Sequence, residues 1–403
     1  MEQTLKIHHD AMDGARRRFA SRSSLQVQVR SLSEMDSRLI DAWQDLEASA
    51  SIRNPFVSPA YVIPAARHLP GVAEPVIITI EQQGQMLGLG VFENRARSRR
   101  LPVRHLRSWQ TPHTYFDGLL LRDGDSGRAL QEFWAFLARG HHDWHGVDFP
   151  RMPVDEPATR LLDASAQQID GFCLEGTPWS RACLLPQESD AGTILQTISV
   201  KRAKSLRRGW RELEKSGTVH FEFQQDPGQM AACAEELMHL ENLGWKCDIG
   251  TSLAANSAHT RFFRELIFRM NEQGNVSFTR LRIDDRAVAS VVNFRAGDTL
   301  YAFKLGWDPE FERGCPGFHL KMQTAAHAGA HFPDVRMIDS CSQPGSFIEH
   351  VWPQRRAFCS RTYVTSPVGS LAASMVQGLR WVRNSAVAVS KNLFRGDQNR
   401  DPG

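Results

Sequence analysis

Residues 301–328, YAFKLGWDPEFERGCPGFHLKMQTAAHA, decide how the rest of the chain is read. Tyr301, Phe303 and Leu305 alternate with Ala302, Lys304 and Gly306, the period-two pattern of a strand with two differently lined faces. Asp308-Pro309 ends the strand, because the residue before a proline is pushed out of the helical region and proline donates no ladder bond. Gly314, Pro316 and Gly317 then prepare a helix, behind which Phe318, Met322, Ala325 and Ala326 recur at helical spacing. A strand feeding a glycine-containing turn and a helix predicts several unpaired, outward-pointing backbone N–H groups, a setting for phosphate or pyrophosphate. Most strand–loop–helix turns bind nothing, so the surroundings decide.

An ordered set of short segments surrounds it: Leu240–Lys246 (LENLGWK), Gly250–Leu253 (GTSL), Phe262-Phe263, Phe303–Pro309 (FKLGWDP) and Cys315–Gly317 (CPG). Together they resemble the BioF2-like acetyltransferase family, which includes the CelD-type proteins of bacterial cellulose and exopolysaccharide operons. Pro55–Pro59 (PFVSP) with Tyr61, and Tyr115–Asp117 (YFD), look like that family's first-half landmarks. The resemblance spans residues 26–366. It implies an α/β (α+β) chain of two tandem Gcn5-related N-acetyltransferase (GNAT) domains, each a mixed, mostly antiparallel sheet flanked by helices, as in the Fem transferases that build peptidoglycan. It also implies acetyl-CoA or another acyl-CoA as co-substrate, with the pyrophosphate at Gly314, Cys315, Pro316, Gly317, Phe318, His319 and Lys321. The implied reaction moves an acyl group, acetyl first of all, to an amine or hydroxyl of a sugar, nucleotide-sugar or lipid-linked intermediate in exopolysaccharide, cellulose or cell-envelope biosynthesis.

Composition sets outer bounds. The chain has 403 residues, 41% apolar and 23% charged, which describes a soluble globular protein of two domains. A net charge of +3 gives no ground for expecting a nucleic-acid partner. Seven cysteines, an odd number without a CxxC pair, argue against a disulfide framework or a metal site and for a reducing compartment. The first residues lack the apolar core of a secretory signal, and no apolar run is long enough to span a membrane, so a cytoplasmic location is expected.

Along the chain, residues 1–24 are expected to be a tail, 25–186 a first GNAT-like domain, 187–366 a second, and 367–403 an amphipathic helix and tail. The boundary follows from the abrupt change at 186–192 (PQESDAG). In the first half, Ser33 is expected to cap a helix running to Ala48, and 54–59 to be a rigid loop. Strands are predicted at 76–81, 86–94 and 103–110, with Phe172 to Leu185 as one closing strand. In the second half a basic helix passes through Val200 to Arg211, a three-stranded meander covers 276–305, and a strand near 357–364 closes the unit. Both halves run in the same order of elements, which points to a duplicated unit. The last segment, 368–394, reads as a basic amphipathic helix that either docks on the protein or lies on an anionic membrane surface.

Acyl transfer from a thioester needs a base for the acceptor's proton, donors for the oxyanion and a proton source for the leaving thiolate. Glu241, at the end of an apolar helix where burial raises a carboxyl pKa, is the first base candidate, and Asp308, beside the glycine loop, is the second. Their plainer readings are an exposed helix end and a turn cap. Tyr301 is the candidate acid, against a plain core role. Trp245, Lys246, Lys304, Tyr115 and His350 are candidate acceptor contacts, and Arg104 and Arg107 belong to the arginine run 95–107. That run and the basic helix, Lys201 to Arg211, are either solvated faces or the walls of a cleft for an anionic acceptor. The family's usual ending places a Lys before a Trp; the corresponding run, Ser340–Pro353, has none, leaving His350 or Arg355 as substitutes. Two other functions stay open: a Fem-like aminoacyl transferase using charged tRNA, and a silent assembly factor for a polysaccharide synthase. Glu241, Tyr301 and Asp308 standing apart and dry would favour the silent factor.

Overall fold

The computed structural model describes residues 25–378, apart from 141, 155, 170, 190, 191, 193, 195 and 197, and the side chain of Trp245 is outside what is described. The first half begins with β1 (Gln26–Ser31) and α1 (Ser37–Ser49). Asp36, not Ser33, caps α1, its carboxylate accepting the Leu39 N–H at 2.9 Å. Ser33 is spent in a preceding 3-10 turn, where Ser31 and Glu34 form their own capping box. Next comes α2 (Pro59–His68), for which the sequence pattern gave no helix. Its residues Pro59 through Ala65 are all buried, so it carries no polar face to set a period. Then follow β2 (Val76–Gln82), β3 (Gln85–Arg95), β4 (His105–Ser108), β5 (Leu120–Leu121), α3 (Ser126–Ala138), β6 (Gly146–Pro153), α4 (Pro157–Gln167), β7 (Phe172–Glu175) and β8 (Trp179–Leu184). Gln83 and Gly84 both take positive φ, 52° and 80°, as a two-residue hairpin turn requires. The single closing strand expected at 172–185 is broken into β7 and β8 around Pro178.

The second half contains α5 (Val200–Glu214), β9 (Val219–Gln224), α6 (Met230–Leu243), α7 (Trp245–Asp248), α8 (Ser257–Glu272), β10 (Val276–Ile283), β11 (Arg286–Ala296), β12 (Thr299–Trp307), α9 (Pro316–His331), β13 (Met337–Asp339) and β14 (Gln354–Val364). All the strands form one mixed sheet in the order β1-β2-β3-β4-β6-β14-β8-β13-β12-β11-β10-β9, with β5 on β3 and β7 on β14. This order is a palindrome of equivalent strands. The parallel pairs β4–β6 and β12–β13 occupy matching places. At the centre the halves trade their last strands: β8 pairs with β13 of the second half, and β14 pairs with β6 of the first.

A buried ion network bolts the exchange. Asp339, fully buried at the end of β13, accepts from Arg181 of β8 (Nη2–Oδ2 2.8 Å) and from Arg356 of β14 (Nη1–Oδ2 2.8 Å). Arg356 also makes a two-pronged contact with Glu156 of the first half, at 2.8 and 3.0 Å. Burial pushes the Asp339 carboxyl up, but the two guanidiniums more than offset this and hold it below its ordinary value.

Helices α2, α6 and α8 cover one face, where Tyr61, Leu237, Phe262 and Phe303 share a core spanning both halves. On the opposite face, α5 and α9 bury Leu206, Leu213, Leu320 and Ala325. Residues 367–378 are helical, yet Leu371 and Met375 of the expected apolar stripe are 67% and 63% exposed. The remainder of that predicted helix lies outside the described residues, as does the tail 1–24. Among the described residues no helix is long and apolar enough to cross a membrane.

Candidate functional site

Strands β12 and β13 pair in parallel only from Thr299↔Met337 to Tyr301↔Asp339. Beyond that point they part, and Cys341 turns the chain away with a left-handed φ of 51°. Opposite β11, Phe303 is an unpaired extra residue, because Asn293 faces Ala302 while Val292 faces Lys304. A bulge of this kind shifts the side-chain alternation by one. The regular alternation expected over 301–306 is thereby corrected. Tyr301 and Phe303 point into the α2–α8 core, Lys304 and Gly306 turn to that same side, and Leu305 joins the opposite core. At Gly306 a Cβ would stand 2.7 Å from the Glu241 backbone nitrogen, so glycine lets α6 lie on β12.

Where the strands part, the first half reaches across. The loop after β4 is pinned by Tyr61, whose hydroxyl bonds Thr111 Oγ1 at 2.6 Å, and by buried Asp117, which accepts the Arg151 N–H at 2.5 Å. It delivers Tyr115, whose hydroxyl lies 3.1 Å from Lys304 Nζ, and His113, whose Nε2 lies 3.2 Å from His259 Nδ1 on α8. His113 also stacks on Phe262, ring centroids 5.4 Å apart. Burial, followed by the nearby Lys304, His259 and Lys246, pushes His113 down to about 2, and burial with Lys304 also lowers His259. Both imidazoles are therefore neutral near pH 7. Burial opposes the Lys304 charge, yet Tyr115 and Glu241 more than compensate, and its pKa is raised.

Glu241 is buried as expected, but both its oxygens are engaged: Oε1 by Lys246 Nζ at 2.5 Å and Oε2 by the Leu253 N–H at 2.9 Å. Lys246 Nζ donates in addition to the Leu305 carbonyl at 3.0 Å. Glu241 thus ties the 244–253 loop to α6. Asp308 caps a turn through the Glu310 N–H (3.0 Å) and pairs with Arg286 (2.5 Å), leaving no oxygen free for a base. Tyr301 is the last β12 residue paired with β13, edge-on to Phe56 at 5.7 Å and beside Arg356, with burial pushing it up to about 12. It lines a cavity of about 1090 Å3 between the halves with Arg356 and Glu156, and not with Tyr115, Lys304 or His259, so the acid role expected of it is corrected. The three candidate catalytic side chains stand apart.

The cofactor loop also differs from expectation. Pro316 has no N–H, Phe318 and His319 donate to the Cys315 carbonyl at 3.0 and 3.1 Å, and Cys315 donates to Glu312 at 2.9 Å. Gly317 is left as the one N–H of residues 315–319 without a partner among the described residues, where several were expected. A Cβ on Gly314 would meet Leu213 at 2.3 Å, and one on Gly209 would meet the Gly314 carbonyl at 3.1 Å; these glycines let α5 cross the loop. A Cβ on Gly317 would face Trp307 at 3.4 Å. His319 is buried beneath α5 with its ring 5.2 Å from Trp210, turned away from any ligand on the loop. Phe318 carries the Arg202 guanidinium over its ring at 4.7 Å, and Lys321 Nζ lies 4.6 Å from the Trp352 ring.

The basic segments separate. On α5, Lys201, Lys204, Arg207, Arg208 and Arg211 are exposed beside the loop; among the described residues none forms an ion pair, the pair at this helix end being Lys215 with Glu212. Arg104 and Arg107 lie on or just before β4, and Arg107 pairs with Glu93 (3.6 Å) and Asp148 (3.9 Å). Five strand spacings separate β4 from β12, about 24 Å at about 4.8 Å each. That exceeds the Debye length of about 10 Å, so the two basic segments do not wall one cleft. His350 and Arg355 share a cavity of about 510 Å3 with Arg202, apart from Tyr115 and Lys304. His259 was not singled out from sequence, although its spacing from Phe262 and Phe263 places it on the buried face of α8.

Comparison with known proteins bears on the same segment. The family model described as the acetyltransferase (GNAT) domain matches residues 200–343. No curated protein matches the chain in sequence. The crystal structure of FemX is similar at a TM-score of 0.50 and 11% identity, covering 81% of this chain and 96% of that one. The C-terminal domain of a protein named as a lysylphosphatidylglycerol synthetase of Agrobacterium fabrum is similar at 0.50 and 12% identity, covering 84% and 95%. At these identities the likeness is one of fold. Residues 200–343 match the GNAT acetyltransferase domain, within a mixed α/β fold of tandem GNAT-like type.

Proposed function

We propose that this protein is an acyl-CoA-dependent acyltransferase acting on an amine or hydroxyl of a sugar, nucleotide-sugar or lipid-linked intermediate. The observation that carries the reading is the parting of β12 and β13 beside the start of α9, closed over by side chains from both halves. The residues present suit such a donor: a free Gly317 N–H, the positive end of α9, and the unpaired basic face of α5 for phosphates. Acyl-CoA supplies the acyl group in activated form, as a thioester. The division into domains at 25–186 and 187–366 belongs to the same proposal, with β8 and β14 exchanged between them.

Within it, His259 takes the acceptor's proton. In the tautomer where His259 Nδ1–H donates to His113 Nε2, His259 Nε2 keeps its lone pair, is half-buried, and has no hydrogen bond among the described residues. Glu241 then stabilises the imidazolium that forms. Lys304 and Tyr115 supply donors for developing negative charge. The BioF2-like and CelD-type resemblance supports the saccharide acceptor.

The separation of Glu241, Tyr301 and Asp308 favours a second reading, a silent assembly factor. Calorimetry with acetyl-CoA, followed by thiol release in the presence of amino sugars, nucleotide sugars and lipid-linked saccharides, decides between them. Binding with acceptor-dependent thiol release is expected. No binding at about 1 mM, the upper range of enzyme substrate constants, would retire the first reading.

A further inference from the structure

Lys321 is 2% exposed on the face of α9 that packs against the sheet. Among the described residues its Nζ has neither a hydrogen bond nor an ion pair; its contact is the Trp352 indole at 4.6 Å. Trp352 is itself held in place by its own N–H, which donates to the Lys321 carbonyl at 3.1 Å. A buried ammonium without a carboxylate is costly, and an apolar side chain of similar volume would fill the same space at no such cost. One ring contact recovers only part of that cost. With no partner among the described residues, the Nζ donors of this almost fully buried side chain remain free for a bound one.

Position narrows what that partner is. The Cys341 thiol is within electrostatic reach of Lys321 and also of Lys304 on the other face of the sheet. Lysines from the two faces thus share electrostatic reach of the residue at which the chain after β13 has turned away from β12. Resting on the acyl-CoA reading above, we infer that Lys321 is the partner of the donor's sulfur: its ammonium hydrogen-bonds the thioester sulfur and protonates it on release. As the C–S bond breaks, its electron pair goes to sulfur and the Nζ proton follows, leaving CoA as the thiol and Lys321 as a neutral amine that solvent reprotonates. Burial brings Lys321 down to about 7, which suits a group that must give up a proton near neutral pH and regain it.

The test measures binding and ionisation, not turnover. The native protein and Lys321→Met are titrated calorimetrically with CoA and with desulfo-CoA. The thiolate absorbance of bound CoA is then followed against pH, with the desulfo-CoA complex as blank. The native protein is expected to prefer CoA over desulfo-CoA by about tenfold and to lower the bound thiol's pKa by about one unit, a tenfold change in its ionisation. Lys321→Met is expected to lose both effects while retaining affinity for desulfo-CoA. Equal affinity of the native protein for CoA and desulfo-CoA overturns the inference even if the variant does not fold. So does an unchanged thiol titration in a folded variant. If the native protein binds neither compound, the acyl-CoA reading itself falls, a different outcome from equal binding of both.

Discussion

Lys304 Nζ on β12 and the Tyr115 hydroxyl of the first half lie 3.1 Å apart, a hydrogen bond that joins the two halves at the point where β12 and β13 part. Tyr115→Phe keeps the ring contacts with Phe56 and Phe303, each at 5.8 Å, and removes only the hydroxyl. It should cost about 1–2 kcal/mol, the usual loss when a buried polar partner is removed. Urea unfolding checks this. In a catalytic assay the variant should lower kcat more than it raises donor KM.

The neutral histidine pair makes stability depend on pH. His113 has a folded pKa of about 2, below the unfolded value of 6.5. Above pH 6.5 neither state binds the proton and nothing changes. Below it the unfolded chain binds a proton that the folded chain does not, so stability falls as pH falls, by about 1.4 kcal/mol per unit at the steepest. Denaturation at pH 7.5 and 5.5 should show the loss. His113→Phe, which preserves stacking on Phe262, should reduce it.

Asp339→Asn should be among the most destabilising single changes available. It leaves Arg181, 1% exposed, buried without its counter-charge, and Arg356, 6% exposed, with Glu156 alone. Removing one partner of a buried pair costs about 3–5 kcal/mol. Thermal unfolding reads it directly. Because the pair ties β13 to both exchanged strands, the loss should appear in probes of either half.

Glu241→Gln separates anchoring from base catalysis. Loss of a base costs about a hundredfold to ten-thousandfold in kcat, whereas loss of the Lys246 tie should cost less than about tenfold and make residues 244–253 exchange amide hydrogens faster. A kcat drop beyond a hundredfold with unchanged exchange would restore Glu241 as the base.

Charge reversal distinguishes the two basic segments. Lys204→Glu with Arg208→Glu should weaken acetyl-CoA binding and flatten its salt dependence, because α5 lies on the loop before α9. Arg104→Glu with Arg107→Glu should leave that affinity unchanged. Calorimetry at two salt concentrations checks both.

Local patterning sufficed for much of the fold. The Asp308-Pro309 stop, the helix start at Pro316, the helix stripe Phe262, Phe263, Leu266, Ile267 and Met270, and the repeated order of elements all follow from sequence, because prolines, glycines and apolar periods act over a few residues. Helix α2 escaped because a segment buried on all sides has no period. Which strands pair is another matter. The exchange of β8 and β14 rests on contacts such as Arg181 and Arg356 with Asp339, 158 and 17 residues away in sequence. Nothing in the alternation of a strand names its neighbour. The bulge at Phe303 likewise depends on β11 supplying one residue fewer than β12, and it alone brings Lys304 to Tyr115. Sequence proposed Glu241, Asp308 and Tyr301 by residue type and position. Tertiary structure assigned their partners, because a carboxylate's availability depends on which donors the fold brings to it.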